Sequence, residues 1–488
     1  MTTTIEMLVV AIVLLPIGGS LLPLLAGRRY RRPGWPIAAI TITATAVVAA
    51  PVVASATKEP IRVEVGGIPA AYGIELVVDG ISAVFVVLTL LIIGGALTHL
   101  RSAGPDGTAF HSAVLLLTGG VLGIALAGDL FNLYVFLEIS AIASYALISS
   151  AESRISTYAA FKYLLLGTIG ASLYLLGVAY LFIATGTLNM HGVSLAIAEV
   201  GYTDTVVVAS FVLIAVGLAI KIALFPVHTW LADAHAAAPD AISAIVSGLL
   251  PAVAVYALAR VAMGVYTPGF FIANPGFGQV LLYGGLITVF AGSILALLQT
   301  KIKLLLAYST IAQMGLAVVG VAIANDLALY GALLQLFGHG IVKAALFLLA
   351  GIIAIVYGAR TLDSYRGLAK RSPWLAGAFA LLGISLIGLP PTVGFMAKYY
   401  IVLGAIESGS WVIAVLVVAS TLLTLAYIVP VIDRLFFHDF EGSASDHLAL
   451  PTGSATVVAI AVILAILIGT ATVSISSILE PAIEVRLA

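Results

Sequence analysis

Apolar runs long enough to cross a lipid bilayer recur along almost the whole chain, and no other feature limits its possible folds as tightly. A transmembrane helix needs roughly 17 to 25 predominantly apolar residues. Runs of that kind occur at 5–26, 34–56, 74–98, 110–127, 129–150, 157–184, 205–226, 240–263, 277–299, 303–323, 327–357, 374–403, 411–437 and 453–479. The expected fold is all-α: one polytopic membrane domain over 1–488 with about fourteen transmembrane helices. The gaps between runs are linkers, too short for a soluble domain. Composition agrees, since only 9% of the residues are charged, against about 25% in soluble domains. The formal net charge of −1 comes without any basic block, so nucleic acid is not an expected partner. The chain has no cysteine, which excludes disulfides and thiolate-ligated iron–sulfur clusters within it. Any redox centre it serves must therefore belong to another subunit. The N-terminal run lacks a basic leader region and reads as a first span rather than a cleaved signal.

Lysine and arginine in short loops set the orientation of such a chain. With the N-terminus outside, the inside loops hold Arg28, Arg29, Arg31, Arg32, Arg101, Arg154, Lys301, Lys303, Arg360, Arg366, Lys370, Arg371 and Arg434. Outside lie only Lys58, Arg62, Arg260 and Arg486. Both termini are expected to face outward. On that outer side "IRVEVGG" alternates Ile61, Val63 and Val65 with polar residues, the pattern of a short strand or hairpin. On the inner side "RTLDSYRGLAKRSPW" at 360–374 reads as an interfacial helix or loop.

The remaining four of the 21 basic residues lie inside spans: Lys162, Lys221, Lys343 and Lys398. Glu138 lies inside span 5. A charge at the centre of a bilayer costs about 2.5 to 3.5 kcal/mol on insertion scales, and intramembrane ionisable groups are functional candidates by default. Snorkelling to the interface is the ordinary alternative for a long lysine stem. Glu138, Lys221 and Lys343 sit too deep for it, whereas Lys162, near the inner end of span 6 beside Tyr158 and Tyr163, suits anchoring and function equally. His339 and Lys343 are four residues apart and share a helical face, where an imidazole and an ammonium can exchange a proton directly or through water. Lysines stand near Pro226 in span 7 and near Pro390 and Pro391 in span 12. These prolines remove backbone donors and should break both helices. The matched breaks suggest an internal repeat of about five helices, a recurrent transporter design. The repeat divides the chain into three N-terminal spans at 1–109, units at 110–263 and 277–437, and a last span at 453–479.

After the break in span 7, "PVHTWLADAHAAAPDA" holds His228, Asp233, His235 and Asp240. Histidine and carboxylate bind divalent metals, but this spacing matches no standard ligand pattern. A proton-access funnel or a capping turn is favoured, and Asp240 suits the N-terminus of span 8. No HExxH, GxSxG, Walker A or nucleotide-binding glycine pattern occurs in usable context, so neither a catalytic centre nor a cofactor is expected.

Taken together, "GDLFNLYVFLEISAIASYAL", "KIALFPVHTWLADAH", "KIKLLLAYSTIAQMG", "GHGIVKAALFLLAG" and "GLPPTVGFMAKYYIVLGA" resemble the antiporter-like subunits shared by Mrp-type cation/proton antiporters, respiratory complex I and membrane-bound hydrogenases. The resemblance covers essentially the whole chain. "YGIELVVDGISAVFVVLT", "ATGTLNM" and "IVKAALFL" point toward the D-subunit branch of the Mrp sodium/proton antiporters. It implies a proton channel made of two inverted five-helix units, with Glu138 and Lys221 as a carboxylate–lysine pair. Lys343 with His339 would be the central relay, and Lys398 the terminal lysine toward a neighbouring subunit. His228, Asp233 and His235 would serve proton access. It also implies partner membrane subunits, a monovalent cation such as Na+ as co-substrate, no cofactor, and the plasma membrane of a prokaryotic cell. Two readings stand beside it: the equivalent subunit of a redox-driven complex, and a mainly structural subunit. The second rests on a departure in span 8, "SGLLPAVAVYALAR", where Ala252 and Pro251 stand at a place that commonly holds a lysine; ordered water would have to bridge it. Ala232 replaces a usual proline in "HTWLADAH".

Overall fold

The structure, a computed structural model, describes residues 2–440, 452–472 and 476. The end of the expected span 453–479, the C-terminus and Arg486 lie outside the described residues. Among the described residues, thirteen helices are long and apolar enough to cross a membrane. They are α1 (Thr4–Ala26), α2 (Gly34–Ala56), α3 (Gly80–Ala103), α4 (Thr108–Leu126), α5 (Leu130–Ser149), α6 (Arg154–Thr185), α7 (Thr205–Ile222), α9 (Asp240–Val265), α10 (Pro275–Leu297), α11 (Ile302–Ile323), α12 (Asp326–Tyr357), α15 (Trp411–Phe437) and α16 (Thr452–Thr470). Shorter helices between them include α8 (Thr229–Ala237), α13 (Pro373–Ile387) and α14 (Val393–Glu407). The chain is therefore a multi-pass, almost entirely helical membrane protein, and α13 with α14 makes up the expected span 12 from two halves, each too short alone.

Two boundaries differ clearly from expectation, each for a local reason, and one helix is additional. Span 3 does not begin at residue 74, because Glu75–Val78 forms a strand, β2, paired antiparallel with β1 (Ile61–Glu64). Asp79 then caps α3, its carboxylate accepting from the backbone of Ile81 and Ser82 while the Ser82 hydroxyl returns the bond, a capping box that fixes the helix start. Span 7 stops at Ile222 rather than 226, because Ala223 turns to φ 67° and the chain resumes as α8. A short helix at Met190–Val200 follows α6; it buries Val193 and Ile197 against the protein and was not expected.

Broken helices survive at membrane depth only if their freed backbone groups find partners. Leu224 N–H donates back to the Ala219 carbonyl at 2.9 Å, Phe225 N–H to Thr288 Oγ1 at 3.0 Å, and the Trp230 indole to the Ile220 carbonyl at 2.8 Å. In the second break Gly388 takes φ 87°, which a side chain would strain, and Thr392 N–H donates to the Leu389 carbonyl at 3.2 Å.

The central window of α9 is 100% buried, against 33% for α2 and α16, so α9 is the axis of the bundle. It packs against both α7 and α12, and α12 packs against α14. Glycines allow the closest approaches, as is usual between membrane helices. A Cβ placed on Gly340 would lie 2.9 Å from the Gly248 carbonyl, so α9 and α12 meet backbone to backbone. The loops gather at two ends. One end joins 151–155, 236–240, 301–304 and 359–361 around a single cavity; the other ties Leu76 to Ala127 and Asp129 to Asn189.

Candidate functional site

Glu138 lies near the middle of α5 and Lys221 in the last turn of α7, directly before the break. Their side chains meet: Lys221 Nζ donates to Glu138 Oε1 at 2.6 Å. Lys221 is 6% exposed and Glu138 21%, so the lysine is enclosed while the carboxylate reaches the edge of the bundle. Ending α7 one residue after Lys221 places its ammonium beside the negative end of the helix dipole as well as beside the carboxylate.

Lys343 is fully buried at the middle of α12. Its ammonium does not turn to His339. It donates to the Leu306 carbonyl at 2.7 Å and to the Ser309 hydroxyl, both on α11. The Lys343 ammonium thus has a polar seat on the neighbouring helix, α11. His339 lies 4% exposed on the same face, and neither of its ring nitrogens has a hydrogen-bond partner among the described residues. It lines a cavity of about 10 Å³ with Gln313, Gln335 and Ser385, room for about one water. His235, on α8, is also fully buried with both nitrogens unpartnered among the described residues. It lies within electrostatic reach of Lys343, Lys303 and His339.

Lys398 on α14 reaches back across the second break. Its ammonium donates to the Ile387 carbonyl, the last residue of α13, at 2.7 Å, and to Thr421 Oγ1 at 3.2 Å. Here too a lysine sits at the negative end of a half-helix. The helices that carry Lys221 and Lys343 both pack against α9, which carries the fully buried Ala252.

A cavity of about 660 Å³ opens at the end where the loops carrying Lys301, Lys303 and Arg360 meet. Asp233 and Asp240 line it; His228 and His235 do not. Asp233 pairs with Lys162 at 2.8 Å, which gives Lys162 a partner inside the protein instead of a purely interfacial role. Asp240 pairs with Lys303 at 3.0 Å, and Lys303 also donates to the Ala238 carbonyl at 2.7 Å, pinning the turn from α8 to α9. His228 packs its ring on Phe225, with centroids 5.2 Å apart. At the other end Arg260 meets Asp79 at 2.5 Å, both buried, and its Nε donates to the Tyr256 hydroxyl at 2.9 Å.

Sequence reasoning named most of the charged groups but missed Lys303, Ser309, Thr421 and the amide pair Gln313–Gln335, which bond at 2.7 Å between α11 and α12. The signal for the glutamines was their polarity inside an apolar run. Lys303 carried none, since a lysine at a helix end counts as an ordinary loop charge. Among the described residues, no group of three or more His, Asp or Glu side chains could hold a metal ion.

Fold and site define a polytopic membrane transport protein whose ionisable groups are held in its interior, Lys221 and Lys398 beside helix breaks and Lys343 at mid-helix. The family profile for the transmembrane subunits of NADH:quinone oxidoreductases and Mrp antiporters matches residues 127–424. The chain belongs to this family of proton-translocating membrane subunits, which are transport rather than catalytic components. A Desulforudis audaxviator protein named as the N subunit of an NADH-quinone oxidoreductase is 41% identical over 384 residues, covering 78% of this chain and 76% of its own. A Bacillus subtilis protein named as the D subunit of a Na(+)/H(+) antiporter is 35% identical over 396 residues, covering 80% and 78%. Among solved structures, a chain of the Mrp complex from Dietzia superposes with a TM-score of 0.86 at 25% identity, covering 100% of this chain and 99% of that one.

Proposed function

We propose that the chain is the D-type component of an Mrp-type antiporter that exchanges protons for Na+ or another monovalent cation. It works beside partner membrane subunits in the plasma membrane of a prokaryotic cell, with the Lys/Arg-rich loop end facing the cytoplasm. The observation that carries this reading is the Glu138–Lys221 pair at the break of α7, with Lys343 and Lys398 buried on helices that pack in succession behind it. Closed, the pair stabilises both charges; opened, each faces the cost of desolvation, and transfer of the lysine proton to the carboxylate discharges both. That change of charge is then felt by the next group in line. Lys343, held by Leu306 and Ser309, is the central relay with His339 and its adjoining cavity beside it, and Lys398 is the outlet toward a neighbouring subunit. Asp233, which lines the inner cavity, supports proton uptake from it together with His228 and His235. His235 also offers a basic group near Lys343 where α9 carries only Ala252. The two breaks mark corresponding positions in five-helix units at 110–263 and 277–437.

Two of the stretches that resemble the D-type branch meet in the fold: the Asn189 amide of "ATGTLNM" donates to the buried Glu75 carboxylate at 2.6 Å, beside the "YGIELVVDG" strand. A second reading, the equivalent subunit of a redox-driven complex, draws support from the 41% identity to an oxidoreductase component. The two separate in one experiment. The chain, purified with its native partner subunits and reconstituted in proteoliposomes, is given a Na+ gradient without any electron donor, and internal pH is read with a trapped dye. A pH change under those conditions supports the antiporter. Proton movement that requires NADH, reduced ferredoxin or hydrogen oxidation overturns it in favour of the redox complex.

A further inference from the structure

The inner cavity holds two basic groups that the ion pairs around it leave over. Asp233 and Asp240 are taken by Lys162 and Lys303. Lys301 and Arg360 line the same cavity, are exposed, and have no carboxylate partner among the described residues. Arg360 is also close enough to Lys303 to repel it. These bases are not loose surface side chains by chance near each other. A backbone ladder fixes their two segments side by side: Ile302 N–H donates to the Arg360 carbonyl at 3.1 Å and Leu362 N–H to the Thr300 carbonyl at 2.8 Å, with Lys301 bridged to Thr361. Ser153, Tyr158 and Thr361 also line the cavity.

The remaining wall is apolar and runs out of the cavity. Ile155 and Tyr158 of α6 line it while being 73% and 63% exposed. Phe161, Leu165 and Ile169 follow at helical spacing and are likewise exposed. A polar pocket with surplus positive charge thus opens onto a continuous apolar track along a membrane helix. That is the shape and charge of a phospholipid lying with its headgroup inward and a chain along the helix, and basic pockets between membrane helices bind anionic headgroups.

We propose that this cavity binds an anionic phospholipid, its phosphate held by Lys301 and Arg360 and its acyl chain by the Ile155–Tyr158 face of α6. Two unpaired bases attract an anionic headgroup and give nothing comparable to a zwitterionic one, whose own ammonium must share the phosphate. A free phosphate would use the same bases but gain nothing from the track, so the track identifies the lipid as the occupant. The site does not depend on which ion the protein exchanges.

The test uses the chain purified with its partner subunits, delipidated, and titrated with phosphatidylglycerol, phosphatidylcholine or glycerol phosphate while native mass spectrometry counts bound lipid. Phosphatidylglycerol should bind well above phosphatidylcholine. The double variant Lys301→Gln/Arg360→Gln should weaken it about tenfold or more, whereas Lys301→Arg/Arg360→Lys should retain it. Ile155→Ser with Tyr158→Ser should weaken phosphatidylglycerol and leave glycerol phosphate unchanged. An unchanged thermal midpoint shows that each variant is folded. Equal retention of phosphatidylglycerol by the double glutamine variant overturns the proposal, as does binding of phosphatidylcholine at the same level. Displacement of the lipid by glycerol phosphate at matching concentration also overturns it, in favour of a small-anion site.

Discussion

Replacing Glu138 with glutamine keeps the size of the side chain and removes its charge, leaving the Lys221 ammonium, 6% exposed, without the counter-charge now 2.6 Å away. At an effective dielectric of about 20, two unit charges at that separation attract by about 6 kcal/mol before desolvation is counted. Removing one partner of a buried pair costs about 3–5 kcal/mol net. Because Glu138 is 21% exposed, solvent screens part of the field and the lower end, about 3 kcal/mol, is expected. Adding Lys221→Met removes the orphaned charge. The double variant should therefore regain most of the stability, with a coupling of about 2 kcal/mol or more across the cycle. Unfolding of wild type, both single variants and the double in mixed detergent micelles measures the coupling, and proton flux in proteoliposomes is read in parallel. All three variants should lose at least about 90% of the flux, since a step of 1.4 kcal/mol already means tenfold, while only the single variants should lose much stability. A coupling below about 0.5 kcal/mol, or full flux in Glu138→Gln, would refute the paired-charge argument.

Two further outcomes follow from packing and capping. Gly340→Ala places a methyl 2.9 Å from the rigid Gly248 backbone carbonyl, so α9 and α12 must separate; about 1–3 kcal/mol of destabilisation and reduced flux are expected, both measurable in the same micelle and vesicle assays. Burial pushes the Asp79 carboxyl up, but the Arg260 guanidinium and the Ser82 bonds outweigh it and hold it below its ordinary 3.8. Its stabilising charge is then present above that value and lost as pH falls through the lowered one. Thermal midpoints of wild type and Asp79→Asn should differ by a steady amount across about pH 5 to 8 and converge in stronger acid.

Hydrophobic length made most of the spans legible, because a bilayer fixes how many apolar residues a helix must present. It failed where a local interaction overruled length. The strand at Glu75–Val78 is apolar enough to read as helix, and only the Asp79 capping box shows where α3 starts. The breaks were readable from proline, yet the position of the first was set by Ala223 and by donors as distant as Trp230. The charged members of the site stood out because a charge in an apolar run is costly. Their partners did not. Lys343 turns to a carbonyl and a hydroxyl of α11 rather than to the histidine four residues before it, and Lys162 meets Asp233 across 71 positions of sequence. Such pairings depend on which helices pack together, information that periodicity along one helix does not hold.

In the proposed function, protons pass through the interior by way of Lys343. In the complex reconstituted with its native partners, Lys343→Ala should assemble normally and reduce gradient-driven proton flux at least about tenfold, one 1.4 kcal/mol step or more in the barrier, with Lys343→Arg failing to restore it because arginine does not release its proton. Wild-type flux in a fully assembled Lys343→Ala complex would contradict the account.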